Sequence, residues 1–196
     1  MMRLTVRMDA LLDSLLHFSR VGRMALDMEG TDLNSVVAKA LEMVDAGRLE
    51  RACDVGVAGV LPWVTCDCVR AREIFVNLPS NALKYDYKPV CRIEIGCDSA
   101  APPPAGRAES AGEPVFCVKD NSIGIGIAPH HDEQIFKMLR RLPGHGDYGT
   151  GTGTGTGLTI VKKLVERHSS EVGVQSAPGQ SEIFLFTLTA DTDAWP

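Results

Sequence analysis

Apolar residues repeat with two different periods along this chain, and the order of these periods limits its fold more than any other feature. Spacings of three and four are typical of one helix face, whereas alternation at every second residue is typical of a strand. Helical spacing occurs near 8–21, 32–44, 67–85 and 158–168, and strand-like segments occur at 54–60, 90–97, 115–120, 171–176 and 182–190. Helices interleaved with mostly antiparallel strands predict an α+β fold, a two-layer sandwich, with a hairpin joining 90–97 to 115–120.

Size and charge exclude several classes of function. The 196 residues are 44% hydrophobic, which suits one globular domain with a short appendage. A net charge of -5, with scattered Lys and Arg, argues against a nucleic-acid partner. The sequence lacks both a run of about 20 apolar residues for membrane insertion and a signal-peptide core. We therefore expect a cytoplasmic location with all six cysteines reduced, since they form no C-x-x-C pair.

The N-terminal segment predicts a helix that needs a partner. Its apolar stripe comprises Leu11, Leu12, Leu15, Phe18 and Val21. This pattern leaves two interpretations: a homodimeric coiled-coil stem, or the second half of a hairpin whose first half lies upstream. Gly30 is expected to close this segment, and Asp32 or Asn34 to cap the next helix. We accordingly divide the chain into residues 1–29 and 30–196.

The helix predicted after Asp67 has two faces of different character. One face carries the apolar residues Ala71, Ile74, Phe75, Leu78 and Ala82, and the other carries Glu73, Asn77, Asn81 and Lys84. Carboxylate and amide oxygens suit a hard cation such as Mg²⁺, and a lysine beside them suits the phosphates that the cation bridges. The alternative is a solvated polar face.

A long segment rich in glycine and polar residues, 121–157, separates a strand from the helix that begins near Leu158. Loops of this length inside compact domains are usually functional. Amides that lead into a helix N-terminus can hold phosphate groups, although a flexible Gly-Thr repeat is the simpler interpretation.

Four segments in sequence order resemble the conserved boxes of sensor histidine kinases, particularly the phytochrome-like ones, of the GHKL superfamily. Residues 73–85 resemble the N box, 120–126 the G1 box, 134–138 the F box and 153–158 the G2 box. The resemblance implies an ATP-binding catalytic domain that uses Mg²⁺. Residues 7–23 are similar to the second helix of the dimerisation hairpin in that family.

The resemblance also implies a role for each matching residue. Asp120 would accept a hydrogen bond from the adenine amino group, and Gly124 and Gly126 would let the backbone pass close to the base and sugar. Asn77 would hold Mg²⁺. The phosphates would be contacted by Asn81, Lys84 and the backbone at Gly153, Gly155, Gly157 and Leu158, and Tyr85 would lie near the base or ribose. Glu73, Asn77 and Lys84 would form the catalytic set, with Glu73 at a position that orients water in related ATPases.

The implied partners are a response regulator and upstream sensor and dimerisation segments. In the family the phosphate-accepting histidine lies on the first hairpin helix and is followed by an acidic residue. His17 is followed by Phe18, so we expect His17 to be a helix-surface or hairpin residue and the acceptor to lie on a missing segment.

Departures from the family pattern leave an alternative open. Pro79 lies within the N box helix, Ser122 replaces a G1 glycine, Leu139 replaces an aromatic residue, and Ser169 and Ser170 replace a Gly-Gly pair. Both glycine runs are also about two residues longer than the family pattern. The alternative is therefore a nucleotide-binding or nucleotide-free interaction module with impaired phosphotransfer. A self-contained ATPase would need a transducer domain that the sequence lacks.

Overall fold

A computed structural model describes residues 2–46, 53–85, 90–98, 114–121, 135–137, 155–176 and 181–188. The helices are α1 (Met2–Arg23), α2 (Leu33–Ala46), α3 (Cys68–Tyr85) and α4 (Gly157–Arg167). The strands are β1 (Glu29–Asp32), β2 (Cys53–Ala58), β3 (Trp63–Cys66), β4 (Cys91–Asp98), β5 (Val115–Asp120), β6 (Val172–Gln175) and β7 (Glu182–Thr187).

The main sheet has five strands in the order β2-β4-β5-β7-β6. Only β2 and β4 are parallel; the other described neighbours are antiparallel, and Ile93 pairs with Asp120 in the predicted β4–β5 hairpin. The predicted α+β sandwich is therefore confirmed. A second sheet of two strands pairs β1 with β3, far apart in the chain.

The core lies between the sheet and its helices, with aromatic rings at its centre. Phe75 of α3 meets Phe116 of β5 and Phe186 of β7 at centroid distances of 6.3 and 5.5 Å, both edge to face. All three side chains are fully buried. Because Phe75 is clamped against two strands, the polar face of α3 is fixed relative to the sheet.

Two helices begin at carboxylate caps. Asp32 accepts hydrogen bonds from the backbone N–H of Asn34 at 3.0 Å and from Ser35 Oγ at 2.7 Å, so the prediction for α2 is confirmed. Bonds from Asn34 and Ser35 hold the pKa of Asp32 below its ordinary value. Asp67 accepts from the backbone N–H groups of Val69 and Arg70 at 3.0 and 3.1 Å.

The expectation that all cysteines are reduced is wrong, because Cys53 and Cys91 form a disulfide. The parallel register of β2 and β4 sets these residues opposite each other, with Cα atoms 4.5 Å apart. Strand register thus brings together two cysteines 38 positions apart in the sequence. Cys66, Cys68, Cys97 and Cys117 are free thiols.

One local expectation also needs correction. Gly30 does not end a segment but lies within β1, paired with Thr65 of β3. The helix predicted over 67–85 is confirmed, because α3 runs from Cys68 to Tyr85 through Pro79, which is buried. Within the described ranges, no helix combines the length and apolar content needed to cross a membrane.

Candidate functional site

The polar face of α3 carries the predicted N box residues in a row. Glu73, Asn77 and Asn81 are partly buried, and Lys84 is exposed near the end of the helix. Asn77 Nδ2 donates to the Glu73 carbonyl oxygen at 2.9 Å. This bond fixes the side-chain amide of Asn77 and leaves its oxygen, Oδ1, to face outward from the helix.

Asn77 lies against the beginning of α4. A Cβ added to Gly157 would lie 3.1 Å from Asn77 Oδ1, closer than ordinary van der Waals contact. The structure therefore brings the N box together with the G2 box, 80 positions apart in the numbering (157 − 77). Glycine at 157, which has no Cβ, lets the start of α4 lie close to the Asn77 amide oxygen.

The beginning of α4 has the electrostatics of an anion site. Gly155 adopts φ +71°, which favours glycine, and turns the chain into the helix. Thr156 precedes α4, and the first turn of α4, which the structure describes, holds no acidic residue. Where α2 and α3 begin after a capping aspartate, α4 begins after the uncharged residue Thr156. The positive end of the α4 dipole therefore keeps its attraction for a negative group.

Asp120 ends β5 and is 3% exposed. It lies between Ile93 of β4 and Glu182 of β7. The next residue, Asn121, was not singled out from the sequence, yet it bonds to both Val90 and Arg92 at the start of β4. The only sequence signal for it is its place directly after a buried strand-end aspartate.

Both carboxylate oxygens of Glu73 have partners. Oε1 contacts Nε2 of His17 on α1, and Oε2 accepts from Arg70 Nη1 at 3.0 Å. The sequence-based view of His17 as a surface or hairpin residue did not foresee this contact. Glu73 therefore links the N box helix to the N-terminal helix.

The end of α1 is also attached to α4. Arg167 Nη1 donates to the Gly22 carbonyl oxygen at 2.7 Å, and its Nη2 donates to the Met24 carbonyl oxygen. Val21 is buried in the core, whereas Leu12 is 55% exposed. The end of α1 is thus packed against α4 and the core, while its earlier turns present an apolar face.

Some predicted positions lie outside the described residues: Gly124, Gly126, Gly153, Ser122, Leu139, Gln134 and Met138. The side chain of Tyr85 also lies outside this description, although its backbone ends α3. Of the F box, Phe136 is buried, with Lys162 Nζ of α4 5.9 Å from its ring centroid.

The grouped residues fit a magnesium–nucleotide ligand chemically. The Asn77 amide oxygen is a hard donor of the kind Mg²⁺ prefers. The start of α4 supplies backbone N–H groups and a positive dipole for phosphates, and Gly157 brings this start close to the Asn77 amide oxygen.

Comparison with known proteins supports the same family. Residues 66–192 match the family described as "Histidine kinase-, DNA gyrase B-, and HSP90-like ATPase". Cyanobacterial phytochrome B of Nostoc sp. is 44% identical over 96% of this chain and 23% of its own length. Methanogenesis regulatory histidine kinase FilI of Methanothrix harundinacea is 32% identical over 93% of this chain and 19% of its own length.

Comparison with solved structures agrees with this result. Full-length ShkA, solved in complex with AMPPNP, superposes with a TM-score of 0.68 at 24% identity, covering 92% of this chain and 35% of ShkA. This chain spans less than a quarter of the two curated relatives named above. The chain belongs to the histidine kinase-, DNA gyrase B- and HSP90-like ATPase family and has the fold of histidine kinase catalytic domains.

Proposed function

We propose that this chain is the ATP-binding catalytic portion of a cytoplasmic sensor histidine kinase. Residues 1–29 would be the end of a dimerisation helix, and 30–196 the domain that binds Mg-ATP and transfers its γ-phosphoryl group to a histidine on another segment. The observation that carries the proposal is the close approach of Asn77 Oδ1 to Gly157, which sets the N box helix against the start of α4. The ShkA complex supports an ATP-type ligand, because AMPPNP is an ATP analogue.

The base would be recognised at the end of β5. The Asp120 carboxylate would accept from the adenine amino group, whereas guanine presents a carbonyl at that position. Gly124 and Gly126 would let the backbone approach the base, and Tyr85 would lie near the base or ribose.

The phosphates would lie between α3 and the start of α4. Asn77 would hold Mg²⁺, which when bound would neutralise phosphate charge. Asn81, Lys84 and the backbone at Gly153, Gly155, Gly157 and Leu158 would orient the phosphates. Positioning and charge neutralisation supply most of the catalysis in phosphoryl transfer, so these residues need only hold the group in line with the incoming imidazole nitrogen.

The role of Glu73 would differ from that in water-using ATPases. With its two oxygens against His17 and Arg70, Glu73 would hold α3 on α1 and orient Asn77 through its backbone carbonyl. A carboxylate engaged in this way is poorly placed to activate water, as expected for an enzyme that must transfer phosphate to a histidine.

Calorimetric titration with Mg-AMPPNP and with a non-hydrolysable GTP analogue tests the nucleotide site. We expect tighter binding of the adenine nucleotide and a smaller preference in Asp120→Asn. Equal affinities in the parent chain would remove Asp120 from the base site. The absence of any binding would favour the alternative, an interaction module without nucleotide, to which the altered residues Pro79 and Ser122 point.

Labelling with radioactive ATP tests the transfer step and the partners. We expect no acid-labile phosphate on the chain alone and its appearance on an added fragment that carries the first hairpin helix. A response regulator receiver domain would then take the phosphate from that fragment. Label on His17 would contradict the proposal, and a His17→Gln variant identifies this outcome.

A further inference from the structure

Asn121, the residue after β5, is joined to the neighbouring strand by three hydrogen bonds. Its backbone N–H donates to the Arg92 carbonyl oxygen at 3.0 Å, and its Oδ1 accepts from the Arg92 N–H at 2.7 Å. Its Nδ2 donates to the Val90 carbonyl oxygen at 2.8 Å. The side-chain amide thus takes the place that the backbone of another strand residue would occupy.

This arrangement extends the sheet beyond its regular end. The β4–β5 register ends at the pair Ile93 and Asp120. Terminal residues of a strand fray more readily than residues enclosed by further hydrogen bonds. Asn121 adds one more hydrogen-bonded position beyond Asp120. Asp120 is therefore flanked along β5 by residues that are bonded to β4, and it is also paired with β7.

We propose that Asn121 is a positioning residue for the base of the bound nucleotide, acting through Asp120. This inference rests on the proposed adenine contact of Asp120. A carboxylate recognises an amino group only when distance and angle are both met, since hydrogen bonds weaken steeply with misalignment. Locking the end of β5 holds the Asp120 carboxylate at one orientation toward adenine.

The role requires an amide, because one side chain must accept and donate at once. Asp at position 121 would keep the acceptor for Arg92 N–H but would set a carboxylate against the Val90 carbonyl oxygen. Ala would remove both side-chain bonds and keep only the backbone bond. The two substitutions therefore form a graded series that leaves Asp120 itself unchanged.

The experiment measures nucleotide preference and thermal stability in parallel on the full chain. Asn121→Ala and Asn121→Asp are titrated with Mg-AMPPNP and a non-hydrolysable GTP analogue, and Tm is measured for each. Asp54→Asn is the matched control: it breaks the exposed pair between Asp54 Oδ2 and Arg92 Nε at 3.5 Å and leaves the bonds of Asn121 in place.

We expect the ratio of GTP-analogue to AMPPNP dissociation constants to fall about tenfold in Asn121→Ala, roughly the effect of one net hydrogen bond, and to fall less in Asn121→Asp. The control should keep the parent ratio. A lower Tm with an unchanged ratio in both variants would overturn the inference, since a merely structural residue would give that result. If the Ala variant does not fold, the Asp variant decides.

The outcomes separate this inference from the proposed function. A parent chain without adenine preference would refute the Asp120 contact, and the positioning role with it. A parent whose preference is lost in Asp120→Asn but kept in both Asn121 variants would refute only the role of Asn121.

Discussion

The amide oxygen of Asn77 lies 3.1 Å from the place where a Cβ on Gly157 would be. The bond from Asn77 Nδ2 to the Glu73 carbonyl oxygen restrains the side chain from moving aside. Alanine at 157 would therefore displace a proposed metal ligand, although alanine itself favours a helix.

For Gly157→Ala we expect Mg-dependent nucleotide affinity to fall about tenfold, since small displacements matter greatly at reacting groups. Thermal stability should stay close to that of the parent. Calorimetry with AMPPNP, with and without Mg²⁺, measures the effect. Gly56→Ala is the control, because nothing lies within 4 Å of its added Cβ. Unchanged magnesium-dependent binding in Gly157→Ala would contradict the assignment of Asn77.

Ser169 has a φ of +56°, in the left-handed region that favours glycine. It follows α4 in a Schellman motif: Ser169 N–H donates to the Glu166 carbonyl and Ser170 N–H to the Val165 carbonyl, both at 3.1 Å. Ser169→Gly should raise the free energy of unfolding by about 1 kcal/mol. Urea denaturation measures this. Ser170→Gly should lower the free energy of unfolding, because Ser170 is buried and donates to the His168 carbonyl. An equal rise in stability in both variants would refute the conformational explanation.

Pro79 lacks the backbone N–H that would donate to the Phe75 carbonyl in α3. Pro79→Ile restores this donor with an apolar side chain, and we expect stability to rise by about 2 kcal/mol. Mg-ATP affinity should rise with it if the missing bond disturbs the alignment of Asn77 and Asn81. Ser80→Ala serves as a neighbouring control. If neither quantity changes, the helix already accommodates proline at no cost.

His168 makes two buried hydrogen bonds that require its neutral form. The Asp67 N–H donates to Nε2 at 3.2 Å, so Nδ1 carries the proton and donates to the Leu164 carbonyl at 2.8 Å. Burial lowers the pKa of His168 below its ordinary value of 6.5.

The unfolded chain therefore binds this proton more readily than the folded chain. The stability contributed by neutral His168 is fully present above about pH 6.5 and is lost as the pH falls toward the lowered pKa of the folded state, by up to about 1.4 kcal/mol per pH unit. Urea denaturation between pH 5 and 7.5 measures the slope. His168→Gln should flatten it, and an identical slope in the variant would assign the pH dependence to other groups.

The disulfide between Cys53 and Cys91 predicts the number of free thiols. Titration of the unfolded, unreduced chain should find the four thiols of Cys66, Cys68, Cys97 and Cys117. A dithiol reductant should lower stability by about 2–4 kcal/mol, because the bond closes a long loop. The double variant Cys53→Ser, Cys91→Ser should be insensitive to reductant. Six titratable thiols in the parent would show that the bond does not form in solution.

Periodicity predicted the elements that bury a regular apolar stripe. Ala71, Ile74, Phe75, Leu78 and Ala82, the predicted core face of α3, are all buried. The strands β1 and β3 were not predicted, because each has four residues and they pair across more than 30 positions of sequence. Alternation over so few residues gives too weak a pattern to separate a strand from a loop.

The candidate site likewise has parts that the sequence predicted and parts that it did not. The resemblance implied that Asn77 and Gly157 serve the same magnesium and phosphate groups, and the structure places the two residues in contact. The contact of Glu73 with His17 was not predictable, because it joins residues 56 positions apart on two separate helices. Asn121 was missed since an amide that substitutes for backbone leaves no periodic trace.

The bond between Arg167 and Gly22 has a consequence for synthesis. A ribosome makes Arg167 145 residues after Gly22, an interval of roughly 7–30 s at about 5–20 residues per second. Throughout that time α1 is complete but its docking partner on α4 does not exist. The apolar face around Leu12, exposed even in the finished domain, is then available to another helix. The contact between the end of α1 and α4 therefore forms only after most of the domain has been made.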